Sequence, residues 1–253
     1  MNRLNSRTVN ICGVEINNLS IQEVLSSIVS LIEDGKPSFV ATCNVDHIIK
    51  LKKDAEFKKV YDSAVLVVPD GVPLLWASNL FGTPLKERVN GTDLFELLCE
   101  LSARNGFRIF LLGGRSHAAS LAADVLRKRY EGISITGTYS PPIGFEFDPA
   151  ENSRITDMIK SSGCDILFVG LGAPKQEKWI YRFKDEYKAP VSIGIGVSFE
   201  FVAGMVKRAP RWMQVVGLEW FWRLLMEPAR LWKRYLIDDM QFFWLVLKQK
   251  FSK

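Results

Sequence analysis

Short apolar runs rich in β-branched residues alternate with amphipathic segments over most of the chain. Two of these runs, 39–44 and 64–71, end on polar residues, at Thr42 and Asn44 in the first and at Asp70 in the second. Runs of this kind are typical of strands buried in a parallel sheet. Because ligands of open α/β sheets bind outside the carboxyl ends of the strands, we expect these three side chains to lie together along one edge.

The alternation predicts six strands separated by helices. The predicted strands are 38–42, 64–68, 107–112, 133–138, 165–170 and 191–195. The predicted helices are 21–32, 45–61, 72–80, 92–104, 116–130, 150–161, 174–186 and 198–205. A strand pair or edge strand is predicted over 9–16. Strands joined by helices imply an α/β fold with a mostly parallel, Rossmann-like sheet, helices on both faces and right-handed crossovers.

The composition changes near residue 204. The segment 204–253 holds ten Lys/Arg against four Asp/Glu and carries +6, so the first 203 residues carry −1 of the net +5. Five of the seven tryptophans lie in the same segment. With 47% hydrophobic residues, a chain of 253 residues can bury a large core. We therefore predict an α/β core over 1–203 and a helical, amphipathic appendage over 204–253.

Cysteine usage and apolar segments bear on the cellular compartment. The four cysteines are far apart and form no Cys-x-x-Cys pair, so neither a metal centre nor a disulfide framework is predicted. Residues 1–8 lack the apolar segment of a secretory signal. The longest late apolar run, 240–247, is far shorter than the roughly 20 residues that span a bilayer. We expect a cytoplasmic protein that does not cross the membrane.

Two glycine-containing turns follow predicted strands. At Gly113-Gly114 the turn would aim helix-N-terminal amides at a phosphate, with Ser116 capping the helix. An ordinary turn is equally compatible, because the Gly-x-Gly-x-x-Gly and Gly-Lys-Ser/Thr spacings are both missing. In the second turn, within Gly170–Trp179, the close spacing of two glycines, a proline and Gln176 favours a ligand site over a tight turn with solvated charges.

Asp70 and its neighbours admit two interpretations. An aspartate in a Pro-Asp-Gly turn often caps the next helix. In a cleft it can instead act as a general base, because desolvation raises its pKa above the ordinary value of about 3.9. Thr42 and Asn44 would orient a hydroxyl or a phosphate, or Asn44 would simply cap a helix.

Arg88 lies in a loop before a helix that Thr92 or Asp93 is predicted to cap. It is either solvated or a bidentate phosphate ligand at the cleft mouth. His47 and His117 are the only histidines, and neither has a partner at metal-ligand spacing. With no Asp-x-Asp at a strand end either, no metal is predicted, and a leaving diphosphate would have to be neutralised by arginines and helix ends.

The predicted appendage combines Lys and Arg with Trp, Phe and Leu, and Pro210, Gly217 and Pro228 interrupt it. This composition is typical of interfacial helices, so an anionic membrane surface is the predicted partner. The alternative is a C-terminal helical pair whose tryptophans pack into the core, and the two are compatible. Single-stranded nucleic acid also binds basic and aromatic residues, but the bulky apolar content favours lipid. Self-association into a homo-oligomer stays open.

Six motifs are distributed along the chain: Thr42-x-Asn44, Pro69-Asp-Gly71, Arg88-Val-x-Gly-x-Asp93, Leu111-Leu-Gly-Gly114, Gly170-Leu-Gly-x-Pro-Lys-Gln-Glu177 and Arg208-Ala-Pro-x-Trp-Met…Gly217-Leu-Glu-Trp220. Together they resemble the WecG/TagA/CpsF glycosyltransferases (glycosyltransferase family 26), from about Val9 to Tyr235. The resemblance implies an inverting, metal-independent transfer without a cofactor. The donor would be a UDP-sugar and the acceptor a polyprenyl-diphosphate-linked saccharide, in cell-envelope polysaccharide synthesis at the inner face of the cell membrane.

By motif position, the resemblance implies that Asp70 is the base that activates the acceptor hydroxyl. It also implies substrate contacts for Thr42, Asn44, Arg88, Gly113, Gly114, Gln176, Glu200, Arg223, Arg230, Lys233 and Arg234. Glu200 stands where the family has an aspartate, and Lys233 stands where an arginine is usual. In the family the appendage is thought to close over the cleft, bring arginines to the diphosphate and touch the membrane.

Two other functions stay open on the residues alone. A nucleotide-binding oxidoreductase would use the same sheet, but no dinucleotide fingerprint or acidic ribose partner is correctly placed. A non-catalytic membrane-associated adaptor would explain the appendage but not the polar residues at successive strand ends. The donor sugar also stays open among N-acetylmannosamine, its uronic acid, glucose and glucuronic acid.

Overall fold

The computed structural model describes residues 7–252. Its strands are β1 (Thr8–Ile11), β2 (Val14–Asn17), β3 (Ser38–Cys43), β4 (Leu66–Pro69), β5 (Arg108–Gly113), β6 (Ser134–Tyr139), β7 (Ile166–Gly170) and β8 (Val191–Gly194). The helices of the core region are α1 (Ile21–Asp34), α2 (Val45–Lys53), α3 (Ala55–Asp62), α4 (Val72–Leu80), α5 (Gly91–Asn105), α6 (Ala118–Arg129), α7 (Pro149–Ser162), α8 (Lys175–Tyr187) and α9 (Ser198–Val202). Four short helices follow, namely α10 (Arg211–Val215), α11 (Glu219–Met226), α12 (Pro228–Lys233) and α13 (Gln241–Phe251), with a π-helical turn at Arg234–Asp238.

Six of the strands form one parallel sheet in the order β4-β3-β8-β7-β5-β6, which confirms the predicted Rossmann-like architecture. Pairing of Cys43 with Pro69 brings the ends of β3 and β4 level. Pairing of Gly113 with Gly170 does the same for β5 and β7. Strand ends at the same level place the polar residues that follow them along one edge of the sheet.

Local signals account for most element boundaries. The predicted strand pair is the antiparallel hairpin β1–β2. At the start of α1 the Ser20 side chain accepts from the Glu23 amide and the Glu23 carboxylate accepts from the Ser20 amide, which forms a complete capping box. The single helix predicted over 45–61 was wrong: Asp54 accepts a hydrogen bond from the Phe57 amide and thereby starts α3 as a separate helix.

Each face of the sheet is covered by its own hydrophobic cluster. One cluster joins the hairpin to α2, α3, α7 and α8, with Phe57 and Trp179 among its members. The other joins α1, α5, α6 and α9. In it Phe95 packs edge-on against Phe168, with 4.7 Å between ring centroids. Strands β3, β4, β7 and β8 are therefore buried on both faces, and a ligand can approach these strands only at their ends.

The four C-terminal helices contact the α/β body. Phe242 and Val246 of α13 are buried in the cluster that contains the hairpin. Nearby, the Gln249 amide group accepts from the Cys12 backbone and donates to the Asn10 carbonyl. The segment 204–253 is thus partly packed on the body, as the helical-pair alternative required. The predicted packing of its tryptophans into the core is wrong, because none of the five is buried.

The outer surface of this segment is nevertheless strongly apolar. Of the twenty-one exposed large hydrophobic side chains within residues 7–252, sixteen follow Gly204. They include Trp212, Trp232 and Trp244, each at least half exposed. In the described part of the chain, no helix has both the length and the apolar character that a bilayer span requires. The division into a core (1–203) and an appendage (204–253) remains a prediction.

Candidate active site

A cavity of about 1120 Å³ lies at the carboxyl ends of the strands, between the body and the C-terminal helices. Of the residues that the sequence analysis implicated, the lining contains Thr42, Asn44, Asp70, Arg88, Gly114, Gln176, Glu200, Arg223, Arg230 and Arg234. Gly113 and Lys233 do not line it. The fold therefore brings polar side chains that lie between Thr42 and Arg234 in the chain together around one cavity.

Asp70 follows the last residue of β4. Its amide donates to the Cys43 carbonyl at 2.6 Å, and its carboxylate accepts from the Asn90 side-chain amide at 2.9 Å. Gly71, whose φ of 144° suits glycine, immediately precedes α4, and no side chain caps this helix. The helix-cap interpretation of Asp70 is therefore wrong, and the carboxylate faces the cavity instead.

Burial raises the pKa of Asp70 to about 6. The Glu219 carboxylate contributes to this rise, whereas the Arg88 guanidinium opposes it. A carboxylate with such a pKa is ionised at neutral pH yet more basic than an exposed aspartate. These are the properties that general base catalysis requires.

Thr42 and Asn44 both make contacts that fix their side chains. The Thr42 hydroxyl donates to the Gly194 carbonyl at 3.1 Å and so ties β3 to the end of β8. The Asn44 oxygen accepts from the His47 amide and caps α2. Within residues 7–252 no hydrogen bond engages the Asn44 amide nitrogen, so this cap leaves one polar group available at the cavity wall.

The Gly113-Gly114 turn is shaped by close backbone contacts. A Cβ on Gly113 would lie 2.7 Å from the Gly170 carbonyl oxygen, and the Gly114 amide donates to that same oxygen. The predicted Ser116 cap was wrong, because α6 begins after His117 without any side-chain cap. The amide of the next residue, Arg115, donates to Glu200 at 3.0 Å.

Glu200 is buried, and its second carboxylate oxygen has no partner in the described part of the chain. The turn after β5 is thus braced by a carboxylate from α9. A phosphate at this turn would have to approach beside that negative charge. The predicted substrate contacts of Gly113, Gly114 and Glu200 remain predictions.

Gln176 connects two turns at the centre of the sheet edge. Its side-chain oxygen accepts from the amides of Gly172 and Gly196, both at 3.1 Å, and its nitrogen donates to Glu177 at 2.7 Å. The Gln176 side chain therefore holds the cavity wall in place as well as lining it. Glu177 was not singled out from the sequence; it is buried, and burial raises its pKa to about 7.

Asn90 is a site residue that the sequence analysis missed. Its oxygen accepts from the amides of Thr92 and Asp93 and caps α5, so the predicted caps were wrong. Its nitrogen donates to Asp70. An asparagine shortly before an apolar helical run is itself a capping signal, and this signal could have located it.

Arg88 spans the body and the C-terminal helices. It donates to the Gln214 carbonyl at 3.2 Å, and its guanidinium lies 3.7 Å from Asp93 and 3.9 Å from Glu219. The side chain is only 18% exposed, so the solvated alternative is wrong.

The C-terminal arginines differ in their partners. The Arg223 guanidinium lines the cavity and forms no hydrogen bond or ion pair with any residue from 7 to 252. Arg230 pairs with Glu227, and Arg234 lies 3.5 Å from Asp46. Lys233 is exposed and does not line the cavity, so its predicted substrate contact remains a prediction. Arg223 is therefore the C-terminal arginine most available to an anionic ligand.

His47 lines the cavity, but its side chain is already engaged by a neighbouring residue. His47 is buried, shares a 2.6 Å hydrogen bond with the Tyr61 hydroxyl, and has its pKa lowered to about 3 by burial. All four cysteines are buried thiols. Over residues 7–252, no group of three or more His, Cys, Asp or Glu side chains is arranged as metal ligands would be.

The motifs and the geometry can be compared with known proteins. The model of the glycosyl transferase WecG/TagA/CpsF family matches residues 9–253. The chain belongs to this family. This assignment confirms the resemblance seen in the motifs, identifies the chain as a glycosyltransferase, and favours that function over the oxidoreductase and the adaptor.

Three relatives of this glycosyltransferase share the name N-acetylglucosaminyldiphosphoundecaprenol N-acetyl-beta-D-mannosaminyltransferase. The protein from Bacillus spizizenii strain W23 is 34% identical over 87% of this chain and 86% of its own length. The protein from Bacillus subtilis strain 168 is 33% identical over 85% and 80%, respectively. The protein from Staphylococcus aureus strain MW2 is 28% identical over 92% and 88%.

Proposed function

We propose that this enzyme transfers an N-acetylmannosamine-type sugar from a UDP-sugar to a polyprenyl-diphosphate-linked N-acetylglucosamine, with inversion and without a metal ion. The names of its relatives support this choice of sugar and acceptor over a uronic acid or a hexose. The observation that carries the proposal is one cavity that combines the half-buried Asp70, whose pKa is raised to about 6, with arginines from the body and the C-terminal segment.

Asp70 supplies the base. Its carboxylate accepts the proton of an acceptor hydroxyl as the hydroxyl oxygen forms a bond to C1 of the donor sugar. The bond between C1 and the diphosphate oxygen breaks on the opposite side, UDP leaves with that electron pair, and the configuration at C1 inverts. Asn90 holds one carboxylate oxygen, which orients the other towards the cavity.

Arginines supply the positive charge that the leaving diphosphate needs. Arg88, Arg223, Arg230 and Arg234 line the same cavity as Asp70. Guanidinium groups match phosphate oxygens with paired hydrogen bonds, which a lysine cannot provide. We assign the leading role to Arg223, because its guanidinium is not engaged by other described residues.

The walls of the cavity position the two substrates. Thr42, Asn44 and Gln176 belong to the strand ends around Asp70, and their side chains are held by backbone contacts. Pre-organised polar groups of this kind reduce the cost of orienting reactants. Gly114 allows the turn after β5 to pack against Ala118, and Glu200 supports that turn through the Arg115 amide.

The segment 204–253 is proposed to act as an appendage that covers the cavity and binds the membrane. Its exposed tryptophans and its basic character suit the interface of an anionic bilayer. Apolar side chains such as Trp220 and Phe243 also line the cavity beside the arginines. A lipid-linked diphosphate has this same combination of charge and apolar chain, and peripheral binding at the inner face of the cell membrane would give access to it.

Release of UDP tests the proposal. The full chain is incubated with UDP-N-acetylmannosamine, its uronic acid, UDP-glucose or UDP-glucuronic acid, with and without a short-chain polyprenyl-diphosphate N-acetylglucosamine, in the presence of EDTA. We expect acceptor-dependent UDP release with UDP-N-acetylmannosamine alone. Release with another donor would correct the sugar, release only after Mg²⁺ is added would refute metal independence, and the absence of any release from folded enzyme would refute the proposal.

A further inference from the structure

A carboxylate from the C-terminal segment lies in the cavity where the proposed function needs positive charge. Glu219, at the start of α11, lines the cavity and its side chain is 15% exposed. A negative charge there opposes the binding of a diphosphate. Substrate binding therefore does not account for this residue, and a different role is required.

Arg208 links Glu219 to the body. Its Nε donates to Glu219 at 3.2 Å, one terminal nitrogen donates to Asp93 at 2.6 Å, and the other donates to Asn90 at 3.2 Å. Asn90 in turn donates to Asp70 at 2.9 Å. A continuous chain of hydrogen bonds thus runs from the C-terminal segment to the proposed base.

Glu219 also acts on Asp70 through its charge. Among the charged groups that face Asp70, Glu219 on α11 and Asp93 on α5 raise the Asp70 pKa, and Arg88 lowers it. Next to these groups, Cys43 on β3 stays a neutral thiol, because burial raises its pKa to about 12. Tyr61 on α3 stays neutral for the same reason, since burial raises its pKa.

Of these groups only Glu219 belongs to the C-terminal segment. Its influence on Asp70 therefore exists only while α11 is docked on the body. Arg208 and Arg88, which contact both sides, are the side chains that fix this docked position.

We propose that Glu219 is a positioning residue that acts through Asp70. Docking of the C-terminal segment brings its carboxylate, held by Arg208 and Arg88, into the hydrogen-bond network that ends on Asp70, so that the base is fully positioned only in the docked enzyme. The inference rests on the proposed function, in which Asp70 is the base. The base is then complete only when the cavity is closed. The donor sugar is therefore protected from attack by water while the cavity is open.

The test is a titration of Asp70 in the full chain, wild type and Glu219→Gln, by carboxyl ¹³C NMR with labelled aspartate. The Asp70 resonance is identified by its absence from Asp70→Asn. Glutamine keeps the shape and the hydrogen bond to Arg208 but removes the charge. We expect the Asp70 pKa to fall by about half a pH unit or more, the size of effect that a nearby charge has at the effective dielectric of a protein.

Two matched variants separate charge from packing. Glu219→Asp keeps the charge, and we expect it to restore most of the wild-type Asp70 pKa. Glu227→Gln removes another carboxylate of the same segment, one that pairs with Arg115 and Arg230, and it should leave the Asp70 pKa unchanged. In the pH–rate profile, Glu219→Gln should move the acid limb to lower pH and reduce kcat, without raising KM for the donor.

An unchanged Asp70 pKa in Glu219→Gln, or an equal fall in Glu227→Gln, would overturn the inference. Failure of the proposed function gives a different result, because an active Asp70→Asn enzyme would remove Asp70 from the mechanism whatever the titration shows. An inactive Asp70→Asn enzyme with no effect of Glu219→Gln would refute the role of Glu219 alone.

Discussion

Replacement of Asp70 by asparagine is the sharpest test of the proposed mechanism. Asparagine has nearly the same shape and keeps an oxygen that can accept from Asn90. It cannot take a proton from the acceptor hydroxyl. General base catalysis typically contributes about 10²–10⁴-fold, so kcat should fall by that factor, with a smaller change in KM.

The same substitution should not weaken the fold. The pKa of Asp70 in the folded protein is about 6, above the value of about 3.9 expected for the unfolded chain. Between these pH values the folded state binds more protons, so its stability falls as the pH rises through this window. Ionised Asp70 therefore costs about 3 kcal/mol at most above pH 6, at about 1.4 kcal/mol per pKa unit. The cost is smaller to the extent that the cavity admits water.

Asp70→Asn removes this cost, so its thermal midpoint at pH 7.5 should equal or exceed that of the wild type. A gain of about 1 kcal/mol corresponds to roughly 2–4 °C in a protein of this size. Near pH 4 the gain should be much smaller, because Asp70 is protonated in the folded state and only about half ionised in the unfolded chain. Loss of activity together with retained or increased stability is the pattern expected of a catalytic group.

The assay is steady-state UDP release from pH 5 to 9, together with thermal unfolding at pH 4 and pH 7.5. The wild type should show an acid limb near pH 6 in kcat/KM, and Asp70→Asn should show none. Asn79→Ala, on the neighbouring helix α4 and outside the cavity lining, serves as the control. Turnover by Asp70→Asn within a few-fold of wild type would refute the assignment of Asp70 as the base.

Three further predictions concern other parts of the site. Arg223→Lys should lower kcat/KM about 10-fold, because the paired hydrogen bonds to phosphate are lost. Lys233→Met should change kcat/KM little, and equal losses of UDP release in both variants would contradict the leading role of Arg223. Gln176→Ala should lower the unfolding free energy by about 1 kcal/mol in urea titrations, because two half-buried amides lose their acceptor. An unchanged midpoint would show that the amides find other partners. Trp244→Ser should reduce sedimentation with anionic liposomes several-fold, whereas Phe147→Ser should not, although Phe147 is more exposed than Trp244, because it lies outside the appendage. Equal binding by both variants would argue against membrane contact through the appendage.

Much of the fold was predictable because its signals are local. Strand positions follow from short β-branched runs, and the Ser20 capping box and the glycine turns are each encoded within a few residues. Polar residues directly after neighbouring strands had to meet at one edge once the sheet was parallel, and Asp70 and Asn44 do so. The family motifs added the expectation of a base and of arginines in one cleft.

Errors arose where two local signals competed. Asp54 interrupts a stretch whose apolar spacing continues through it, and its capping hydrogen bond decides in favour of two helices. Asn90, Thr92 and Asp93 are all good capping residues, and only the backbone path shows that Asn90 is the cap. When neighbouring residues have similar helix-capping propensities, the sequence alone does not determine which of them caps the helix.

The sequence by itself determined the strand–helix alternation, the glycine turns and the basic, tryptophan-rich C-terminal segment, because each depends on neighbouring residues. Only the tertiary structure decided that Arg208 joins Glu219 to Asn90, that Gln176 holds two turns, and that Arg223 rather than Lys233 faces the cavity. These contacts join residues far apart in the chain, so they depend on how α11 docks on the body. The basicity of Asp70 has the same origin, because burial and the approach of Glu219 exist only in the folded molecule.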